Sequence, residues 1–119
     1  MSGYHLDVHD DPTGVRVMAV QGEARVELSD QLTREALEAI GPVEHPRVAL
    51  DLSGLDFIDS ASTGALVHLR EVIETERGGN LVLCGLKRVV RRVLDVTGLA
   101  CRFDIREDRA DAVAHLTDS

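Results

Sequence analysis

The residues best suited to chemistry are an acid and a hydroxyl side by side, Asp59 and Ser60, followed closely by Ser62 and Thr63. They separate an apolar run from a stretch with helical apolar spacing, which predicts a helix that begins here. Asp59 is a typical N-cap residue, whose carboxylate accepts hydrogen bonds from the amides of Ala61 or Ser62. Ser60 is then expected at the first helical position, with its hydroxyl close to solvent.

A serine at a helix N-terminus is a favourable acceptor for a phosphoryl group. The unpaired N–H groups of the first turn and the positive end of the helix dipole both favour an anion. A phosphoryl group adds about −1.5 to −2 charges, which a partner packed against the same helix end would have to desolvate. A loss of about 4 kcal/mol would weaken such binding roughly a thousandfold. Taken alone, the Asp-Ser pair is explained more simply as a helix cap.

Catalysis by Ser60 would require a base near its hydroxyl, and the sequence offers none close by. His68 lies two helical turns further on, roughly 12 Å away by helical rise. The histidines and cysteines lack the spacing of a zinc site, and the chain has no glycine-rich nucleotide loop. Asp51, Asp56 and Asp59 fall on a strand, a loop and a cap, so their carboxylates need not converge on a metal. We therefore predict a non-enzyme without metal or cofactor.

The apolar pattern also predicts the elements that position the Asp-Ser pair. The predicted strands are about 6–8, 15–20, 48–52, 81–84 and 101–105. The predicted helices are one capped by Ser29 and ending near 40, one from 59–60 to about 77, one at about 87–97, and one capped by Asp108. This order predicts an α/β fold with a mixed sheet, an N-terminal hairpin, about four helices and right-handed crossovers.

Composition narrows the class of protein. The 119 residues suit a single domain, 1–119, with its core at about 15–116, and 3% aromatic content predicts an aliphatic core. Val89, Val90, Val93 and Leu94 are expected to face inward from the third helix. Cys84 and Cys101 are expected as small buried residues on strands.

Charge and hydropathy limit the partners. A net charge of −8 disfavours nucleic acid, and no apolar run is long enough to span a membrane. The first residues do not have the pattern of a signal peptide, so a cytoplasmic protein is expected. A monomer is expected because no exposed apolar stripe stands out in the sequence. Lys87, Arg88, Arg91 and Arg92 form a basic patch, which is either a solvated face or a contact for an acidic partner surface.

One segment of the sequence forms a distinctive motif: residues 48–69 read V-A-L-D-L-S-G-L-D-F-I-D-S-A-S-T-G-A-L-V-H-L. Three shorter motifs accompany it, namely Gly22-Glu23, Gly78-Gly79 and residues 93–99, V-L-D-V-T-G-L. This ordered set resembles the STAS family, and within it the small anti-sigma factor antagonists. The resemblance covers about residues 15–116. It implies a STAS-type fold in which a buried strand leads into Asp-Ser at the start of a helix.

The resemblance implies a partner-switching regulator of transcription, as in stress responses. The unmodified protein would bind an anti-sigma factor that is a serine kinase, and so release a sigma factor. The kinase would phosphorylate Ser60, which Asp59 orients, and a serine phosphatase would reverse the modification. The partner interface is expected at Ser62, Thr63, Gly22, Glu23 and Arg25.

The chain departs from the family pattern at three positions, and two of these departures, Arg25 and Ala61, favour a second hypothesis. The family usually has an Asp two residues after the Glu of Gly22-Glu23, where this chain has Arg25, and Glu27 is the candidate substitute for that carboxylate. Ala61 stands where the family usually has Ser or Thr, and Ser62 where it has Gly. The alternative is a STAS scaffold or an accessory subunit of a transporter or signalling assembly, without phosphorylation.

Overall fold

The computed structural model describes residues 3–118. The strands are β1 Tyr4–Asp10, β2 Arg16–Ala24, β3 Arg47–Ile58, β4 Asn80–Cys84 and β5 Asp104–Arg106. The helices are α1 Val26–Ile40, α2 Thr63–Arg70, α3 Arg88–Val96 and α4 Arg109–Thr117, with a π-helical segment Glu71–Glu76 after α2 and a 3₁₀ turn Ala100–Arg102 before β5.

The five strands form one mixed sheet in chain order, β1-β2-β3-β4-β5. The hairpin β1–β2 is antiparallel, whereas β2, β3, β4 and β5 pair in parallel. Each parallel pair is joined by a helical crossover, as parallel neighbours require. The predicted mixed α/β sheet with an N-terminal hairpin and four helices is confirmed.

The core lies on both faces of the sheet, because β3 is buried on both sides. On one face Val48, Leu50 and Leu52 pack with the apolar sides of α1, α2 and α3. On the other face Ala49 packs with Val82 and with Ala112 and Leu116 of α4. This double cover explains the uninterrupted apolar run of β3, which alternation alone would not produce.

Several predicted boundaries are wrong. Strand β3 continues to Ile58 rather than ending near Leu52, because its second half pairs with β2 up to Ala24. The predicted second helix ends as an α-helix at Arg70 and continues with π-helical bonding, such as Arg77 N to the Val72 carbonyl at 3.0 Å.

The C-terminal third contains two further corrections. Cys101 is exposed in the 3₁₀ turn instead of lying on the last strand, because the buried ring of Phe103 anchors the chain and β5 begins only at Asp104. Cys84 is buried on β4, as predicted. Val89 is 45% exposed, because Val90 and Leu94 form the inward face of α3.

Candidate functional site

Asp59 joins the starts of two helices. Its Oδ2 accepts a hydrogen bond from the Val26 amide at 2.9 Å, at the first residue of α1. Its Oδ1 accepts from the Ser62 amide at 2.8 Å, just before α2. The Asp59 amide in turn donates to the Ala24 carbonyl at 3.1 Å. One carboxylate therefore satisfies unpaired amides at both helix N-termini and holds the ends of β2 and β3 together.

This arrangement corrects the predicted cap of α1. The helix begins at Val26, and Ser29 lies within its first turn, where its hydroxyl donates to the Val26 carbonyl at 2.9 Å. The cap comes instead from Asp59, which lies 33 positions away along the chain. The sequence around residue 29 does not indicate that Asp59 caps this helix.

The same contacts set the charge of the site. Hydrogen bonds from the Ser62 and Val26 amides, together with the positive charge of Arg25, lower the pKa of Asp59. These outweigh the partial burial, which by itself raises the pKa. Asp59 is therefore a fixed anion at neutral pH, and both of its oxygens are already engaged.

Ser60 lies on an exposed turn and not at the first helical position. Residues 60–62 form this turn, in which the Ser62 amide donates to the Asp59 carbonyl at 3.1 Å. The Thr63 hydroxyl donates to the Ser60 carbonyl at 2.6 Å, which closes the turn against α2. The predicted exposure of Ser60 is confirmed, whereas its predicted helical position is wrong because α2 begins three residues later.

Ser62 and Thr63, predicted at a partner interface, point into the protein. Their exposed fractions are 2% and 3%. The Ser62 hydroxyl has no hydrogen-bond partner within the described part of the chain. Thr63 is used in closing the Ser60 turn. These side chains support the turn from inside, so Ser60 and Ala61 are the exposed residues of the turn.

Gly22 and Glu23 lie at the end of β2, opposite the second half of β3, and Arg25 follows β2 directly. Gly22 has φ +99°, and a Cβ there would lie 2.3 Å from the Gly3 carbonyl oxygen, so glycine is required. Glu23 is opposite Phe57 in the β2–β3 register. Arg25 forms an ion pair with Glu23 at 3.0 Å, and its guanidinium lies 4.4 Å from the centre of the Phe57 ring. A cation thus covers the aromatic residue two positions before Asp59.

The three aspartates considered as a cluster have separate partners. Asp56 pairs with Lys87, and Asp51 accepts from Arg109 Nε and Nη2 at 3.0 and 2.8 Å. Among residues 3–118 no three acidic, histidine or cysteine side chains are grouped to hold a metal ion. No helix in this part of the chain combines the length and apolar character needed to cross a membrane.

The pairing of Asp51 with Arg109 was not predicted. Asp51 is an acid within an apolar strand, and a buried acid requires a partner for its charge. The sequence around Asp51 therefore indicates that a partner exists. The partner lies 58 positions away, so the signal does not identify it.

Comparison with known proteins identifies the family of this chain. The family model of the STAS domain matches residues 8–112. The chain belongs to the STAS domain family. An anti-sigma F factor antagonist from Paenibacillus polymyxa is 28% identical over 103 residues, which cover 87% of each chain. Its name describes a regulator, which agrees with the prediction that this STAS domain is not an enzyme.

Solved structures share the fold of this STAS domain. A STAS-domain anti-sigma-factor antagonist from Planctomyces limnophilus superposes with a TM-score of 0.82 at 21% identity and covers 96% of this chain and 98% of its own. Part of the murine anion transporter Solute Carrier 26 family member A9 superposes with a TM-score of 0.81 at 16% identity, over 100% of this chain and 23% of the transporter. At these identities the likeness concerns the fold alone.

Proposed function

We propose that this STAS domain is an anti-sigma factor antagonist, and that phosphorylation of Ser60 releases it from its anti-sigma factor. The observation that carries the proposal is the exposed Ser60 turn, held by the engaged carboxylate of Asp59. The name of the Paenibacillus relative supports the same role. The anti-sigma factor would be the serine kinase, a phosphatase would reverse the modification, and both would act in the cytoplasm.

The geometry supports a switch that works by charge and not by refolding. Asp59 already engages both helix starts, so it positions the turn and does not need to act as a base. A phosphoryl group on the Ser60 hydroxyl would add about −1.5 to −2 charges beside the fixed anion of Asp59. A partner surface packed on this turn would then face both charges, and binding would weaken while the fold persists.

The test is binding of Ser60 variants to the anti-sigma factor. Ser60→Asp is expected to weaken binding about a hundredfold or more, because the added charge must be desolvated at the interface. Ser60→Ala is expected to bind like wild type but to take up no phosphate from the kinase. Thr75→Asp is the matched control, since Thr75 is exposed in the π-helical segment at the far end of the same helical stretch.

Calorimetric titration and intact-mass analysis measure the two effects separately. Equal affinity of Ser60→Asp and Thr75→Asp would contradict the charge switch. Phosphate uptake that persists in Ser60→Ala would place the modification elsewhere.

A second candidate function is a non-phosphorylated scaffold or an accessory subunit of a transporter. The fold shared with part of an anion transporter favours it. It predicts that Ser60→Ala changes no measurable property, and that the protein from its native cells has unmodified mass under every growth and stress condition.

A further inference from the structure

Strand β1 leaves one long edge of the sheet unpaired. The order β1-β2-β3-β4-β5 makes β1 and β5 the edge strands among residues 3–118. Strand β5 has only three residues, and a very short edge strand is one protection against pairing with a further strand, whereas β1 has seven. The β1 sequence, Y-H-L-D-V-H-D, contains no proline or lysine, and the register shifts of the sheet lie between β2 and β3. Strand β1 is therefore an edge that can accept another strand.

The hairpin register shows which backbone groups of β1 are free. In an antiparallel pair, hydrogen-bonded residue pairs alternate with non-bonded ones. At one end of the hairpin the Glu23 amide donates to the Gly3 carbonyl at 2.8 Å. At the other end the Asp11 amide donates to the Val15 carbonyl at 2.9 Å. The odd-numbered residues of β1 are thus bonded to β2, and the N–H and C=O groups of the even-numbered residues point away from it.

The side chains of β1 divide between the two faces of the sheet. Tyr4 and Leu6 are half-buried against the core, and Val8, which follows them on the same face, is 45% exposed. His5 and Asp7 are exposed on the opposite face, where His5 Nε2 lies 3.0 Å from Asp7 Oδ1. The edge therefore has apolar side chains on one face and a histidine next to an aspartate on the other.

These two patterns are complementary to themselves when a second copy of the chain lies antiparallel. We propose, in place of the monomer expected from the sequence, that β1 pairs with β1 of a second copy, with Leu6 opposite Leu6 on the two-fold axis. This register places Tyr4 opposite Val8 on the apolar face and His5 opposite Asp7 on the polar face. The even-numbered residues then form about six inter-chain hydrogen bonds, and one sheet continues through both copies.

Two neighbouring registers use the same backbone groups but fit less well. With Leu6 opposite Val8, the two Asp7 carboxylates would face each other, and like charges directly opposite destabilise a strand pair. With Val8 opposite Val8, Leu6 would face Asp10, a carboxylate that already pairs with Arg16 at 2.7 Å. The charges and the apolar residues thus both favour the register centred on Leu6.

The net charge of −8 on each chain makes this a weak dimer, because the two copies repel each other. At 0.15 M salt that repulsion is largely screened beyond about 8 Å, so the contacts along β1 decide the association. We expect a dissociation constant below about 1 mM, which places half or more of the chains in dimers at 1 mM protein.

Sedimentation equilibrium and amide hydrogen exchange of the unmodified protein test the proposal. We expect the mean mass to rise from one chain towards two between about 10 µM and 1 mM protein. Over the same range the Leu6 and Val8 amides should exchange about twofold more slowly or better, because they become hydrogen-bonded in the dimer. The His5 and Asp7 amides are already bonded within the hairpin, so their exchange should not depend on protein concentration.

A matched pair of valine variants separates the edge from general surface charge. Val8→Lys is expected to weaken association about tenfold or more, because it places a charge opposite Tyr4 of the other copy. Val89→Lys makes the same change at a valine that is likewise 45% exposed, on α3, and should leave the dissociation constant within about twofold of wild type.

An exchange of charges tests the register. His5→Asp places carboxylates opposite each other at two symmetric positions and is expected to weaken association about fivefold. The double variant His5→Asp/Asp7→His restores each pair with its members exchanged and should return to within about twofold of wild type. A double variant as weak as His5→Asp would overturn the register centred on Leu6.

Three other results would overturn the dimer itself. These are the mass of one chain at every concentration up to about 1 mM, a dimer in which the Leu6 and Val8 amides exchange as fast as in the single chain, and equal losses from Val8→Lys and Val89→Lys. The measurements involve neither kinase nor phosphate, so their failure leaves the proposed phosphorylation of Ser60 untouched, and the reverse also holds.

Discussion

At the scale of single residues, Asp59 does more than its position next to a serine indicates. Its carboxylate accepts two backbone amides that belong to different helices, and its own amide binds the end of β2. The loops that follow β2 and β3 therefore share one anion. The proposed phosphorylation site, Ser60, directly follows Asp59 in the chain. The Asp59 carboxylate accepts from the Ser62 amide across the Ser60 turn, so the geometry of the turn depends on this carboxylate.

Asp59→Ala is expected to lower the free energy of unfolding by about 1–2 kcal/mol, because two amides lose their acceptor. Asp108→Ala is the comparison, since within residues 3–118 the Asp108 side chain accepts only from the Asp111 amide, at 2.9 Å, and caps α4 alone. Urea unfolding measures both. A smaller loss for Asp59→Ala than for Asp108→Ala would contradict the double cap.

The two cysteines are expected to differ sharply in reactivity. Burial, and after it the nearby charge of Asp51, raises the pKa of Cys84 to about 12. Cys101 is exposed in its turn. A thiol reagent such as DTNB should therefore modify one thiol of the folded protein rapidly and the second only on unfolding, because the thiolate is the reactive form. Cys101→Ser should remove the fast phase, and Cys84→Ser should leave it unchanged.

At the scale of elements, α2 and its continuation connect the Ser60 turn to β4. The start of α2 is open, and a Cβ at Gly64 would meet no atom within 4 Å. The far end is tightly packed, and a Cβ at Gly79 would lie 2.1 Å from the Pro46 carbonyl oxygen. The Asn80 amide donates to that same oxygen at 2.9 Å, so the backbone there has little freedom to move.

Alanine is expected to have opposite effects at these two glycines. Gly64→Ala should raise the free energy of unfolding by about 0.5–1 kcal/mol, because alanine loses less backbone entropy in a helix. Gly79→Ala should lower it by about 2 kcal/mol or more through the clash with Pro46. Thermal and urea unfolding give both values. A destabilised Gly64→Ala would mean that the start of α2 is less open than this structure has it.

At the scale of the whole molecule, α4 covers the second face of the sheet and is tied to its centre by one ion pair. Asp51 is 6% exposed on β3, and Arg109 reaches it from the first residue of α4. Burial raises the pKa of Asp51, but hydrogen bonds from Ser53 and Arg109 outweigh it and hold the pKa below its usual range. Removal of the arginine leaves a nearly buried anion with less compensation.

Stability is expected to fall in acid. Asp51 and Asp59 both have lowered pKa values in the folded protein, so the unfolded chain binds more protons below about pH 4. Their contribution is present above that pH and is lost as the pH falls through the folded values. Arg109→Gln should cost about 1–2 kcal/mol at pH 7, and the difference from wild type should narrow as the pH falls through the lowered pKa of Asp51, since protonation removes the charge that Arg109 compensates.

Urea unfolding at a series of pH values provides this measurement. Arg102→Gln is the control, because Arg102 is exposed in the 3₁₀ turn and has no ion pair within residues 3–118. A constant difference between Arg109→Gln and wild type from pH 7 to pH 3 would show that the pair with Asp51 does not carry the effect.

The sequence by itself determined the order of the elements, the mixed sheet and the place of Asp59-Ser60 after a central strand. Each of these follows from apolar periodicity and from turn residues, which act over a few positions. The family resemblance also followed from residues in sequence order, and the family match over 8–112 confirms it.

Only the tertiary structure decided where α1 begins, which side chains of the Ser60 turn are buried and which arginine pairs with Asp51. The cap of α1 comes from a residue 33 positions away, and Asp51 meets an arginine 58 positions away. Ser62 was expected outside and lies inside, because the turn that closes on Thr63 rotates it into the core. Such contacts depend on how whole elements pack, and local propensity contains no information about partners brought together only by folding.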